Sequence, residues 1–156
     1  MDHGRRGVGL KETAMITNIF IAFGIFFLKH FIVDFPLQRW AWMYKNKGTW
    51  GHPGGIAHAG LHGFATFLIL VLFIHYGMIG HDMIPLNNIS LGWLAAVILG
   101  GLDGYIHYII DWSKMNLNHY MEWGPLTSEW FWHSLGVDQL LHYLTYLLII
   151  YIWFMG

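Results

Sequence analysis

Four apolar runs, at about 15–35, 55–78, 91–112 and 137–154, each approach the roughly 20 residues an α-helix needs to cross a bilayer. A polar insertion with one fixed spacing interrupts every run: His30-x-x-x-Asp34, His58-x-x-x-His62, Asp103-x-x-x-His107-x-x-x-Asp111 and Asp138-x-x-x-His142. Positions four apart lie one above another on a single helix face, so each run is expected to be a membrane helix with one polar stripe. The fold class that follows is all-α. It is a polytopic membrane protein with four transmembrane helices in an up-down bundle and long interfacial loops on one face.

The balance of residue types supports this. The chain is 56% hydrophobic and only 11% charged, with mean hydropathy +0.45, whereas a soluble domain carries about 25% charged residues. Residues 1–14 are polar and Gly-rich and are expected to be a flexible N-terminal tail, with 15–156 forming one membrane domain. Arg5-Arg6 before an apolar run suggests a signal peptide, but no small-residue cleavage site follows, which favours an uncleaved span. Gly54-Gly55, Gly77, Pro85 and Asn87-Asn88 are the turn and stop signals around the second and third runs. Gly100-x-x-x-Gly104 supplies a flat surface for close helix packing. A net charge of -1 excludes a general basic field for nucleic acid. The absence of cysteine excludes disulfides, thiolate zinc sites and iron–sulfur clusters.

Alternating spans bring the four stripes to the same membrane face, because they sit late in the first and third runs and early in the second and fourth. The loops at that face, about 36–54 and 113–136, hold Trp40, Trp42, Trp50, Trp123, Trp130 and Trp132, with Trp112 at their border. Tryptophan prefers the headgroup level, so these loops are expected to lie on the membrane as a lid, with Thr127-Ser-Glu129 starting a short interfacial helix. Arg39, Lys45, Lys47 and Lys114, with Lys29 able to snorkel, outnumber Arg5, Arg6 and Lys11 on the other side. By the positive-inside rule the site face is then cytoplasmic, by a small margin.

An Asp at the centre of a membrane helix costs about 2.5–3.5 kcal/mol, and to offset Asp34, Asp103, Asp111 and Asp138 the runs supply no Arg, with only Lys29 close. Five imidazoles share their stripes, and His with Asp makes a nitrogen and oxygen donor set for zinc foremost, or for iron or manganese. The metal ligands expected are His30, Asp34, His58, His62, Asp103, His107, Asp111, Asp138 and His142. Nine donors exceed one tetrahedral zinc and fit a cluster of two or three ions. Asp103, also counted as a ligand, is the candidate general base. Lys45 and Lys114 are candidates for holding an anionic headgroup, and Gln38 for orienting a substrate. Competing readings are a hydrogen-bonded His–Asp network serving as a proton path and bis-His haem ligation. His3, His52, His75, His81, His119 and His133 lack the spacing and read as interfacial or loop residues.

At these residues the chain resembles a family of bacterial and phage membrane proteins, the domain of unknown function numbered 3307. The resemblance rests on His30, Asp34, Phe35 and Gln38, then Trp42 and Lys45 or Lys47, the pair His58 and His62, His107-x-x-x-Asp111-x-x-Lys114, and Asp138-Gln139-x-x-His142. It covers about residues 28–145 and implies an integral protein of the bacterial inner membrane, in a family with phage-encoded members. More loosely, Gly104-Tyr-Ile-His107-Tyr-Ile-Ile-Asp111 and His58-Ala-Gly-Leu-His62 are similar to segments of membrane-bound metal-dependent hydrolases, each with one residue fewer. That likeness implies metal-assisted hydrolysis of a phosphoester or lipid headgroup. The alternatives are a non-catalytic, metal-stabilised subunit of a larger membrane complex or oligomer, and a di-iron or haem redox protein.

Overall fold

The computed structural model describes residues 3–78 and 89–155, with the side chains of residues 3–11, 41 and 89 left aside. Pro85, Asn87-Asn88 and His81 lie outside the described residues. Five α-helices and a 3₁₀ turn follow in order: α1 His3–Asp34, the turn Leu37–Arg39, α2 Ala41–Tyr44, α3 Pro53–His75, α4 Ile89–Tyr120 and α5 Trp130–Met155. No strand occurs among the described residues. Four segments are long and apolar enough to cross a membrane: Glu12–Arg39, Pro53–His75, Ser90–Tyr120 and Trp130–Met155.

Local chemistry explains several boundaries. Pro36 has no backbone donor to continue α1, and the chain tightens there into the 3₁₀ turn. At α3, His52 Nδ1 accepts from Gly54 N at 3.0 Å and Pro53 occupies the first helical turn, both ordinary helix-start devices. Residues 3–14, expected as a tail, continue α1 toward the N-terminus. On the site face, α4 runs to Tyr120 and α5 begins at Trp130. The segment 113–120, expected as loop, is therefore helical, and Thr127-Ser-Glu129 leads into α5 itself rather than into a separate helix. The reason is simple. Hydropathy marks where the bilayer ends, whereas backbone hydrogen bonds let a helix continue past that level.

Packing divides the bundle into two halves. Away from the site, Phe26, Leu70, Phe73, Ile149, Ile150, Trp153 and Phe154 belong to one buried apolar cluster. Between α3 and α4 the backbones touch: a Cβ on Gly63 would lie 2.6 Å from Gly100 O, and one on Gly100 would lie 2.8 Å from Gly63 O. Only residues without side chains allow that approach. Gly100 and Gly104 thus have the packing role expected of them, with Gly63 as their counterpart. Outward, Phe20, Phe31, Val97, Ile98, Leu144 and Tyr151 are exposed. Only 28–39% of each membrane-length window is buried. An apolar exterior on this scale calls for hydrocarbon rather than water as its solvent.

The first interfacial loop is tied down onto α4. Trp50 packs edge-on against Tyr108 and Trp112, with ring centroids 5.2 and 5.3 Å away. Gly51 N donates to Tyr108 Oη at 2.7 Å, and Gly51 adopts the left-handed φ of 74° that glycine tolerates best. Asn116 Nδ2 donates to Gly48 O at 2.9 Å and to Trp112 O at 2.8 Å. These contacts fix residues 48–51 against α4, and Lys47 just before them points inward.

Candidate metal centre

The four stripes meet. Three imidazoles stack in the order His62, His107, His142, with centroid separations of 3.5 and 4.0 Å and both interplanar angles 21°. His58 stands edge-on to His62 and His107. All four rings come from α3, α4 and α5, and all are at most 2% exposed. Such a meeting requires α1, α3, α4 and α5 to alternate in direction, as expected of an up-down bundle.

Asp34, from the end of α1, sits at the mouth of this ring cluster. Its Oδ1 lies 3.1 Å from His58 Nε2, 3.3 Å from His62 Nε2 and 3.9 Å from His107 Nε2. The Nε2 atoms of His58 and His107 are 3.0 Å apart. Four donors at about 2.0–2.2 Å from one tetrahedral zinc are separated from each other by about 3.3–3.6 Å, and these distances bracket that edge. Asp34, His58, His62 and His107 thus form a group that could hold a metal ion. A second group adjoins it and shares His107: His107, Asp111 and His142. Asp111 Oδ2 is 3.4 Å from both His58 Nε2 and His107 Nε2, so Asp111 touches the first group as well.

The remaining expected residues are placed differently. His30 is satisfied on both ring nitrogens: Nδ1 lies 2.8 Å from Tyr146 Oη, and Nε2 lies 2.9 Å from Asp34 Oδ2 and 3.0 Å from Gln139 Oε1. It braces Asp34 from behind and is in neither donor group. Asp138 approaches His142 at 3.7 Å and receives Lys114 Nζ at 3.1 Å. Gln38 Nε2 donates to the Asp34 carbonyl at 3.0 Å, capping the end of α1.

Asp103 is apart from both groups. Its Oδ2 accepts from Lys29 Nζ at 2.6 Å and from Thr66 Oγ1 at 2.6 Å, and Lys29 also donates to Thr66 at 3.0 Å. Lys29 therefore turns into the bundle, over the Tyr146 ring, instead of snorkelling to the surface. Lys45 is exposed, and its neighbour Lys47 is the buried lysine, 2.7 Å from Asp111 Oδ2. These placements correct the charge argument made from sequence. Three of the four carboxylates have a lysine partner (Lys29–Asp103, Lys47–Asp111, Lys114–Asp138), and Asp34, among the described residues, has imidazoles alone. The uncompensated charge is concentrated at the first group.

Thr66, Tyr146 and Lys47 were not singled out by spacing. Two of them continue stripes already recognised, Thr66 four residues after His62 and Tyr146 four after His142. Extending the fourfold spacing to hydroxyl side chains would have found them. Lys47 had no such signal, because it lies in a loop, just before the contacts at Gly48 and Gly51.

Fold and site together define an all-α protein with the build of an integral membrane protein, whose buried His and Asp side chains are compatible with metal binding. The chain belongs to the family described as protein of unknown function (DUF3307), which matches residues 22–156. No match was found among curated proteins or among solved structures.

Proposed function

We propose that this is a membrane-embedded metalloprotein that uses a divalent cation, zinc foremost, to hydrolyse an anionic ester, a phosphoester or lipid headgroup, at one membrane face. The observation that carries the proposal is the convergence of three buried imidazole Nε2 atoms on one carboxylate that has no lysine beside it. A divalent ion there would offset the Asp34 charge and lower the pKa of a bound water. The chain's own groups have distinct parts in this reading. His30 holds Asp34 Oδ2, so Oδ1 is left to face the imidazoles. Lys47 and Lys114 lie at the same end of the bundle, and each can turn to a phosphate oxygen while remaining near its carboxylate. The tryptophans of this face would hold the protein at headgroup level: Trp40 and Trp50 in the first connection, Trp42 in α2, Trp123 before α5, and Trp130 and Trp132 at its start. The charge bias of the connections would put this face on the cytoplasmic side of a bacterial inner membrane.

A second reading follows from the origin of the donors on α1, α3 and α4: an ion there would also cross-link three helices of a non-catalytic subunit. Metal analysis of protein purified in detergent comes first, followed by His62→Ala. Loss of metal and of phosphoesterase activity from a protein that keeps its helical spectrum supports the hydrolase. Loss of metal with collapse of the fold supports the cross-link, and wild-type protein that takes up no divalent ion after reconstitution rules out both.

A further inference from the structure

We infer that the bundle contains a second and chemically different cation seat, formed by Asp111, Asp138 and His142, which fills together with a phosphate-class anion. This rests on the metal reading of the first group and extends it.

The His142 imidazole stands between the two carboxylates without bonding to either. His142 Nε2 lies 3.9 Å from Asp111 Oδ1 and 3.7 Å from Asp138 Oδ1, beyond the roughly 2.7–3.2 Å of a hydrogen bond. Among the described residues, His142 Nε2 and Asp138 Oδ1 have no hydrogen-bond partner, although these residues are only 2% and 3% exposed. Buried polar atoms are nearly always paired, so two unpaired donor atoms 3.7 Å apart, on adjacent turns of one helix, leave a place for a ligand between them. These separations overlap those of the first group, so the donor set rather than the spacing distinguishes the two seats.

Each carboxylate is divided between two tasks. One oxygen of each is engaged elsewhere: Asp111 Oδ2 by Lys47 and the imidazoles of the first group, and Asp138 Oδ2 by Lys114 and Gln139. The other oxygen of each, Oδ1, faces His142. Two carboxylate oxygens and one imidazole form a harder donor set than the imidazole-rich first group, and such sets suit manganese or iron(II) better than zinc.

Charge then says what accompanies the ion. Lys47 pairs with Asp111 and Lys114 with Asp138, while Asp34 has no lysine, so the three carboxylates and two lysines leave one negative charge. A single divalent ion in the first group already reverses it. A second would accumulate positive charge in a low-dielectric interior, where uncompensated charge is costly. The second cation is therefore expected to enter with an anion, and the two ammonium groups beside it match phosphate oxygens. Free phosphate and a phospholipid headgroup share that chemistry.

The test uses the full chain in a phosphate-free maltoside detergent, loaded with one equivalent of zinc. Manganese(II) is titrated by loss of its free-ion EPR signal, alone, with inorganic phosphate, and in mixed micelles containing phosphatidylglycerol. One manganese per chain is expected, bound at least tenfold more tightly when one of the two anions is present, and the arm that responds identifies the source. Asp138→Asn should lose the manganese and keep the zinc. Lys114→Gln should keep manganese but lose most of the anion enhancement. If Asp138→Asn does not fold, His142→Gln is read in the same way. Manganese binding that is unchanged in these variants, or indifferent to both anions, overturns the second seat while leaving the first intact. Failure of the wild-type chain to retain zinc overturns the first reading and this one with it.

Discussion

Replacing Gly63 by alanine should weaken metal binding without touching any ligand. The new Cβ would lie 2.6 Å from Gly100 O and 3.3 Å from both Gly104 Cα and Gly104 N. A carbon rarely approaches a carbonyl oxygen closer than about 3.3 Å, so α3 and α4 must separate locally by about 0.7 Å. No flexible side chain is available to absorb this, because the atoms met are backbone. Overpacking of this kind costs about 1–3 kcal/mol. The displacement occurs one residue from His62 and one turn from His58, whose Nε2 is 3.0 Å from that of His107 across the same seam. Zinc affinity should fall tenfold or more, equivalent to about 1.4 kcal/mol. The control lies on the same helix: a Cβ at Gly60 meets nothing within 4 Å, and Gly60→Ala should leave affinity unchanged and stabilise α3 by up to about 1 kcal/mol. Competition with a chromophoric chelator measures affinity, and melting in zinc-free detergent separates packing from ligand-linked stability. If the two variants behave alike in both assays, the glycine seam does not set the spacing of the imidazoles.

Three further outcomes are expected. Lys29→Met alone should destabilise the protein by about 3–5 kcal/mol by leaving Asp103 buried and unpaired, and Lys29→Met with Asp103→Leu should recover most of that; chemical denaturation in mixed micelles reads it, and zinc content should be unchanged in the double variant. Tyr146→Phe removes one hydrogen bond to His30 and should cost about 0.5–1.5 kcal/mol of stability while zinc stoichiometry by elemental analysis stays at the wild-type value; loss of zinc would make His30 a ligand rather than a brace. Lys47→Ala should weaken the response to phosphate in the manganese titration, whereas Lys45→Ala, at an exposed position, should not, and equal effects would contradict the inward placement of Lys47.

The spans and the meeting of their stripes were legible because both follow from single-helix geometry: run length gives the crossing, and fourfold spacing gives the face. Asp34, His58, His62, His107, Asp111 and His142 come together as those rules require. What the spacing could not assign was the partner of each group. Asp103 shares a stripe with His107 and Asp111, yet it lies one turn deeper and meets Lys29, because α1 passes there at a height that depends on helix-to-helix contact. His30 looked equivalent to His58, but Tyr146 and Gln139 reach it from α5 and occupy both of its nitrogens. Lys45 and Lys47 differ by two positions in a loop, where orientation follows no period. Charge compensation in this bundle is a property of tertiary contacts, and a list of residues in one stripe carries little of it.

The origin of each donor along the chain also has a consequence for biosynthesis. Asp34, His58, His62 and His107 lie on α1, α3 and α4, so every candidate donor of the first group has been translated before α5 leaves the ribosome. The last helix then brings His142 and Asp138 together with Tyr146 and Gln139, the groups that hold His30 in place. A nascent chain halted ahead of α5 would carry the four donors of the first group but lack His142, Asp138 and the brace on His30, which makes the final span the step that completes the polar cluster.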